Sequence, residues 1–162
     1  PLRLIQYGWQ LMSFIDRLVD LWQLSGRVPD PSLADKAIRK FQNRFDVQLP
    51  PDVDAFYRRF HSLLGDMDSD LNHFWPIEDV DIVSAKVAPC YSGVDRITNS
   101  TELFAFADHS IWVHVYAMRL SKDSRVGASV IWIADGEFAT LAETFAGFWE
   151  IYLASTHHIV VP

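Results

Sequence analysis

The chain opens with an apolar stretch, residues 4–24, in which hydrophobic positions recur at helical spacing. Two seams lie side by side along it: Leu4, Tyr7, Leu11, Phe14, Leu18 and Leu21, then Ile5, Met12, Ile15, Val19 and Trp22. A helix that is apolar over two neighbouring seams must be covered on both. The pattern therefore predicts an apolar N-terminal helix within residues 1–28, which either packs into the core or forms a homodimer through residues 4–22.

Two more helices are predicted before any strand. Apolar residues at three- and four-residue intervals mark residues 32–45 and residues 51–64, separated by a break at Pro50-Pro51. A polar, acidic loop over residues 65–73 follows. The first half of the chain is thus predicted to be largely helical.

The second half reads mainly as strands. Runs rich in β-branched and aromatic residues predict strands over residues 74–77, 103–107, 111–120 and 128–134. A short helix is predicted over residues 78–87, and a closing helix over residues 138–152 after the Asp135-Gly136 turn. Sequential strands flanked by helices predict an α+β fold with a curved, mainly antiparallel sheet.

The long strand predicted over residues 111–120 has two different faces. Ile111, Val113, Val115 and Ala117 would point one way as a plain core face, and Trp112, His114, Tyr116 and Met118 the other. The second set combines amphipathic rings with a thioether, a mixture enriched in protein interfaces. It predicts partner binding through Trp112, His114 and Tyr116, extended by Trp75 on a neighbouring strand; burial under a helix is the alternative.

Charge is distributed unevenly along the 162 residues, whose formal net charge is −7. Residues 1–50 hold seven Lys/Arg and five Asp/Glu, a balance of +2, whereas residues 51–162 hold seven against sixteen, a balance of −9. An acidic body repels a phosphate backbone, which argues against nucleic acid as a ligand. It attracts a basic protein instead, unless the charge serves solubility alone.

The densest carboxylate group is predicted to bind that partner: Asp66, Asp68, Asp70, Glu78, Asp79 and Asp81. The alternate spacing of its first three members resembles the start of a calcium loop. The sixth and twelfth positions of such a loop require Gly and Glu, but Leu71 and Ile77 stand there. No metal is therefore predicted at this loop.

Catalytic signatures are missing from the sequence. Cys90 is the single cysteine, and there is no Gly-x-Ser-x-Gly elbow, phosphate loop or dinucleotide fingerprint. No cofactor and no enzymatic activity are predicted, with a small hydrolase or metal-dependent enzyme as the weakest alternative. Charges at Asp16, Arg17 and Asp20 argue against a membrane span in the first apolar stretch.

Three segments resemble conserved motifs of the SUKH superfamily. Leu49-Pro50-Pro51-Asp52-Val53, with Phe56 and Phe60 in the following helix, resembles its "LPxDyxxF" opening. The strand at residues 103–108 is similar to the one that enters its Gly-Asp turn, although Ala107 replaces the Gly. Residues 141–148 resemble its closing "lAxSFxxFl" helix, and the three segments occur in the family's order.

The resemblance implies an α+β domain over residues 32–155, with the apolar first helix outside the shared core and residues 156–162 as a tail. It also implies function, since bacterial members mostly serve as immunity proteins that neutralise toxins, and fungal relatives regulate cell-wall signalling. We therefore expect a cytoplasmic, non-enzymatic immunity protein that binds a basic toxin domain. An intracellular regulatory module is the alternative.

Overall fold

The structure is a computed structural model that describes residues 14–24, 26–123 and 127–155. The described part of the first helix, α1, covers residues 14–21. Helices α2 (Pro31–Phe45) and α3 (Pro51–Phe60) follow, and α5 (Phe145–Ala154) closes the described chain. A short helix, α4 (Val83–Lys86), lies between the second and third strands. The predicted seam over residues 4–13 and the tail over residues 156–162 lie outside the described residues.

Local signals explain where the second and third helices begin. Pro31 and Pro51 occupy the first turns of α2 and α3, where a missing N–H costs no helical hydrogen bond. The side chain of Asp30 caps α2 by accepting a hydrogen bond from the N–H of Ser32 at 2.8 Å. The helix ends at Asp46, whose φ of 53° is left-handed.

Within the described part of the chain, six strands form one open antiparallel sheet: β1 (Asn72–Phe74), β2 (Asp81–Ile82), β3 (Leu103–His109), β4 (His114–Arg119), β5 (Val130–Ala134) and β6 (Glu137–Ala142). Their order is β1-β3-β4-β5-β6, and β2 also pairs with β3. The predicted α+β fold with a mainly antiparallel sheet and flanking helices is confirmed.

Four predicted element boundaries are wrong. The first strand covers Asn72–Phe74 and not residues 74–77, because the pairing with β3 begins at Asn72 and ends at Phe74. Residues 137–142 form strand β6 and the closing helix begins only at Phe145, because residues 137–140 and Ala142 pair with β5 across the tight Asp135-Gly136 turn. Residues 111–113 belong to a turn, so β4 begins at His114. Residues 78–82 are not helical, because Asp81 and Ile82 pair with β3 before α4 begins.

Both faces of the sheet are buried. One face packs under α1, α2, α3 and α5 and contributes Phe104, Phe106, Tyr116, Met118 and Trp132 to a large aromatic core. The opposite face contributes Leu103, Ala105, Val115, Ala117, Ile131 and Ile133 to a second core with α4 and the segment that follows it. The sheet therefore leaves its ends and the edge strand β6 as its accessible parts.

The described part of α1 belongs to the larger core. Phe14 and Leu18 are fully buried there, and Trp22 packs on Phe60 and Trp149 with ring centroids 5.1 and 5.8 Å away. This contact supports the core alternative for residues 14–22. Among the described residues, no helix combines the length and apolarity that crossing a bilayer would require.

Candidate functional site at one end of the sheet

The acidic loop and the β3–β4 turn meet at one end of the sheet. Pairing of Asn72 with His109 aligns the start of β1 with the end of β3. Beyond that pair, the N–H of Ser110 donates a hydrogen bond to the carbonyl of Leu71 at 2.9 Å. We call residues 65–73 and 108–114 together the sheet end.

Asp68 organises the acidic loop from within. Its Oδ1 accepts hydrogen bonds from the N–H groups of Asp70 at 3.0 Å and Asn72 at 2.8 Å. Its Oδ2 accepts one from the hydroxyl of Tyr152 at 2.7 Å, which connects the loop to α5. Burial raises the pKa of the Tyr152 phenol, so the hydroxyl remains a donor at neutral pH. Asp68 therefore serves loop structure, whatever else it contacts.

Asp108 is the buried carboxylate of the sheet end, with 1% of its surface exposed. Its Oδ2 accepts a hydrogen bond from the indole Nε1 of Trp75 at 2.8 Å and lies 3.0 Å from Nδ1 of His73. Its Oδ1 accepts a hydrogen bond from the N–H of Trp112 at 3.2 Å. One side chain thus links strand β1 to the β3–β4 turn.

The β3–β4 turn has an unusual backbone. Ser110, Ile111 and Trp112 have φ angles of 50°, 56° and 66°, three consecutive left-handed residues without a glycine. The turn is fixed by the hydrogen bond from Trp112 to Asp108 and by another from the Tyr91 hydroxyl to the carbonyl of Trp112. The Trp112 ring packs on Trp75, with centroids 5.3 Å apart.

Four aromatic residues predicted to bind a partner occupy different environments. Trp112 does not share a strand face with His114 and Tyr116, because it lies in the turn. Tyr116 is buried beneath α5, 5.4 Å from the ring of Phe148, as the alternative of burial under a helix predicts. Trp75 is buried against the second core.

The polar tips of His114 and Tyr116 satisfy each other. Nε2 of His114 lies 2.8 Å from the Tyr116 hydroxyl, and the His114 ring stacks on His109 with centroids 4.7 Å apart. Burial raises the pKa of the Tyr116 phenol, with a smaller contribution from Asp68. Both polar tips therefore have a hydrogen-bonding partner inside the protein.

The predicted acidic residues also separate into different roles. Asp81 forms an ion pair with Arg44 at 2.8 Å, and Glu78 lies 3.5 Å from Nδ1 of His61. Asp66 and Asp79 are exposed, and no described side chain pairs with either carboxylate. Within the described chain, no group of three or more His, Cys, Asp or Glu side chains has a metal-binding arrangement.

A cleft of about 390 Å³ lies beside the acidic loop. Trp22, Leu64, Phe74 and Tyr152 contribute apolar wall, and Asp66 and Arg27 contribute charge. The cleft separates the end of α1 from the sheet end. The walls of the cleft therefore contain both apolar side chains and carboxylates.

Sequence reasoning assigned no site role to Asp108 or His73. A usable signal was present, because Asp108 directly follows the apolar run at residues 103–107. A carboxylate that continues a buried strand requires donors of its own. His73 and Trp75 follow one another at the alternate spacing that places both on one side of an extended segment.

An open antiparallel sheet with helices on one face and α4 on the other defines an α+β domain of two cores. The model of the SMI1 / KNR4 family (SUKH-1) matches residues 32–151, and the chain belongs to this family. The SUKH resemblance is confirmed; the superfamily is known for immunity proteins and cell-wall regulators, and its members are generally protein-binding and non-enzymatic. Comparisons with curated proteins and with solved structures found no match.

Proposed function

We propose that this protein is a bacterial immunity protein, which binds and neutralises a cognate toxin domain in the cytoplasm without a cofactor. The observation that carries the proposal is the sheet end, where the exposed carboxylate of Asp66 and partly exposed Asp70 lie with the exposed apolar side chains of Leu71, Ile111 and Val113 on a domain of the SUKH-1 family. Protein interfaces combine these two kinds of surface, an apolar centre and a polar rim. Neutralisation would follow from covering the toxin's substrate cleft or its approach.

Electrostatics supports a basic partner. The formal net charge of −7 gives long-range attraction to a positively charged domain and repulsion from nucleic acid. Asp66 adds an exposed carboxylate within the sheet end, and Asp79 adds another between β1 and β2, along the same edge of β3; no described cation forms an ion pair with either carboxylate. Asp81 contributes less to the attraction of a basic partner, because its carboxylate forms an ion pair with Arg44.

The proposal is tested with a toxin domain encoded by a gene adjacent to this one, and the absence of any such gene would contradict the immunity function. Wild-type protein should bind this toxin domain and abolish its activity, and Asp66→Asn with Asp79→Asn should slow association roughly three- to tenfold at low salt. Stopped-flow association at several salt concentrations measures this effect, since screening acts on the on-rate.

A matched control removes two exposed carboxylates outside the sheet end that form no ion pair among the described residues, Asp16→Asn with Glu143→Gln. This variant carries the same net charge and should associate at nearly the wild-type rate. Equal slowing in both variants would show that net charge alone, and not the position of these carboxylates, sets the association rate. An absence of toxin binding by wild-type protein would contradict the immunity function.

Family membership supports one alternative, a regulatory module that binds an intracellular signalling protein. Gene neighbourhood separates the two, because an immunity gene lies next to its toxin gene. Co-purification from the native host would then identify a signalling partner in place of a toxin.

A further inference from the structure

We propose that the β3–β4 turn is the apolar anchor of the interface, with Ile111 and Val113 inserting into an apolar depression on the partner that is bordered by Lys and Arg. This inference rests on the proposed immunity function and deepens it by naming the contact. The contact would be made by the tip of the turn, residues 111 and 113, while Trp112 holds the turn in place.

The two tip side chains are unusually exposed for their type. Ile111 is 76% exposed and Val113 is 61% exposed, and Leu71, whose carbonyl bonds to Ser110, is 50% exposed. Three large aliphatic side chains therefore meet water at one end of the sheet. Burying apolar surface of this kind is the main driving force of association, and clustering distinguishes it from scattered surface residues.

The backbone conformation of the turn is unfavourable for the residue types that occupy it. Left-handed φ angles suit glycine and asparagine, whereas a β-branched residue such as Ile111 adopts them only under strain. Folding alone would be served better by Asn or Gly at that position. A locally unfavourable residue held by its surroundings is a mark of a functional position, and here the retained property is an exposed aliphatic side chain.

The turn is held rigidly enough to act as an anchor. Trp112, between the two tip residues, is tied to Asp108 through its N–H and to Tyr91 through its carbonyl, and its ring rests on Trp75. The N–H of Val113 donates to the carbonyl of His109 at 3.0 Å. A fixed projection loses little conformational entropy on binding, which favours affinity.

The surrounding charge selects the partner. Asp66 and Asp70 lie in the acidic loop beside Leu71, and Asp135 is exposed in the β5–β6 turn at the same end of the sheet. A second copy of this chain would bring these carboxylates against their own counterparts, which is repulsive. A partner with basic residues around an apolar depression satisfies both features of the surface.

The decisive variant is Ile111→Asn, measured against the toxin domain encoded beside this gene. Asn accepts the left-handed backbone, so the melting temperature should stay unchanged or rise, while affinity should fall at least about tenfold. Val113→Thr keeps the branched shape but replaces one methyl group with a hydroxyl, and should weaken binding about threefold or more. Leu33→Asn, an exposed aliphatic position on α2, is the matched control and should bind normally.

The outcomes separate the two proposals. If wild-type protein binds the toxin and Ile111→Asn binds equally well, the anchor is wrong and the immunity function stands. If wild-type protein does not bind, both proposals fail together. A fall of more than about 5 °C in the melting temperature of Ile111→Asn would show a structural role for this side chain and also overturn the anchor.

Discussion

At the scale of single residues, Asp108 links strand β1, the segment after it and the β3–β4 turn. A buried carboxylate is costly unless donors surround it, and here an indole N–H, an imidazole nitrogen and a backbone N–H do so. The three donors come from β1, from the segment that follows it, and from the β3–β4 turn. Removing this one side chain would therefore disturb several elements at once.

Asp108→Asn tests this connection with almost no change in volume. An amide offers one oxygen and one NH₂ group, so whichever way it is oriented, a donor faces either Trp75 or Trp112. We expect a loss of about 2–4 kcal/mol in the free energy of unfolding, measured by urea denaturation. Asp66→Asn removes an exposed carboxylate nearby and should change stability by less than about 0.5 kcal/mol. Equal effects of the two substitutions would contradict the assigned role.

At the scale of elements, the prediction succeeded where periodicity was long and regular. Helices α2 and α3 follow from apolar positions at helical spacing together with prolines that mark their starts. Strand β6 was misjudged because Phe138, Leu141 and Ala142 also suit the helical spacing of the residues after them. Pairing across a two-residue turn, a tertiary effect, overrides that pattern.

The buried face of α1 is testable by truncating one side chain. Leu18 is fully buried, so Leu18→Ala should lower the free energy of unfolding by about 2–5 kcal/mol. Asp20→Ala, on the exposed side of the same helix, should leave stability nearly unchanged. Thermal and urea denaturation of both variants measure the difference, and a small effect of Leu18→Ala would favour a helix that packs elsewhere.

Helices α3 and α5 are joined at their N-termini by Asp52. Its Oδ2 accepts a hydrogen bond from the N–H of Ala146 at 3.1 Å, next to the cap that Thr144 provides for Gly147. Burial raises the pKa of the Asp52 carboxyl, although the N–H groups of Ala146 and Val53 act in the opposite direction. Its titration therefore reports on the junction of the two helices.

The direction of the pH effect follows from that raised pKa. The folded chain binds a proton at Asp52 more readily than the unfolded chain, so this group adds stability as the pH falls through the folded pKa towards the unfolded value. Asp52→Asn cannot gain this contribution. The stability of wild-type protein relative to Asp52→Asn should rise between about pH 7 and about pH 4, measured by urea denaturation. A difference that shrinks over this range would be inconsistent with a raised pKa; Asp16→Asn controls for the loss of one charge.

At the scale of the whole molecule, the sheet is covered on both sides. Its strands should therefore differ in how strongly their backbone amides are protected from hydrogen exchange. Amides of β3 and β4 lie between two cores, whereas β6 pairs on one side only. We expect hydrogen exchange in β3 and β4 to require nearly global unfolding, with opening free energies in β6 lower by about 2 kcal/mol or more. Residue-resolved exchange measures this, and equal protection in β6 would indicate that another segment covers that edge.

The sheet end was only partly predictable from the sequence, because its contacts depend on how the strands pair. Carboxylates and aromatic residues could be recognised from their types, but their neighbours depend on the register of β1 against β3, which joins Asn72 to His109. Nothing local in the sequence specifies that register. The exposed tip was missed because Ile111 and Val113 fit the alternation of the strand that follows them.

The burial of both sheet faces has a consequence for how such a protein diversifies. A change on either face, for instance at Ala105 or Ala117, alters a packed core, whereas a change at an exposed position of the acidic loop or the β3–β4 turn, such as Asp66, Ile111 or Val113, alters surface. Lineages that exchange one partner for another are therefore expected to accumulate substitutions in these two loops while the strands between them stay nearly constant. If the partner is a toxin, selection for binding it would then act mainly on the exposed positions of these two loops, while the buried strand residues would change little.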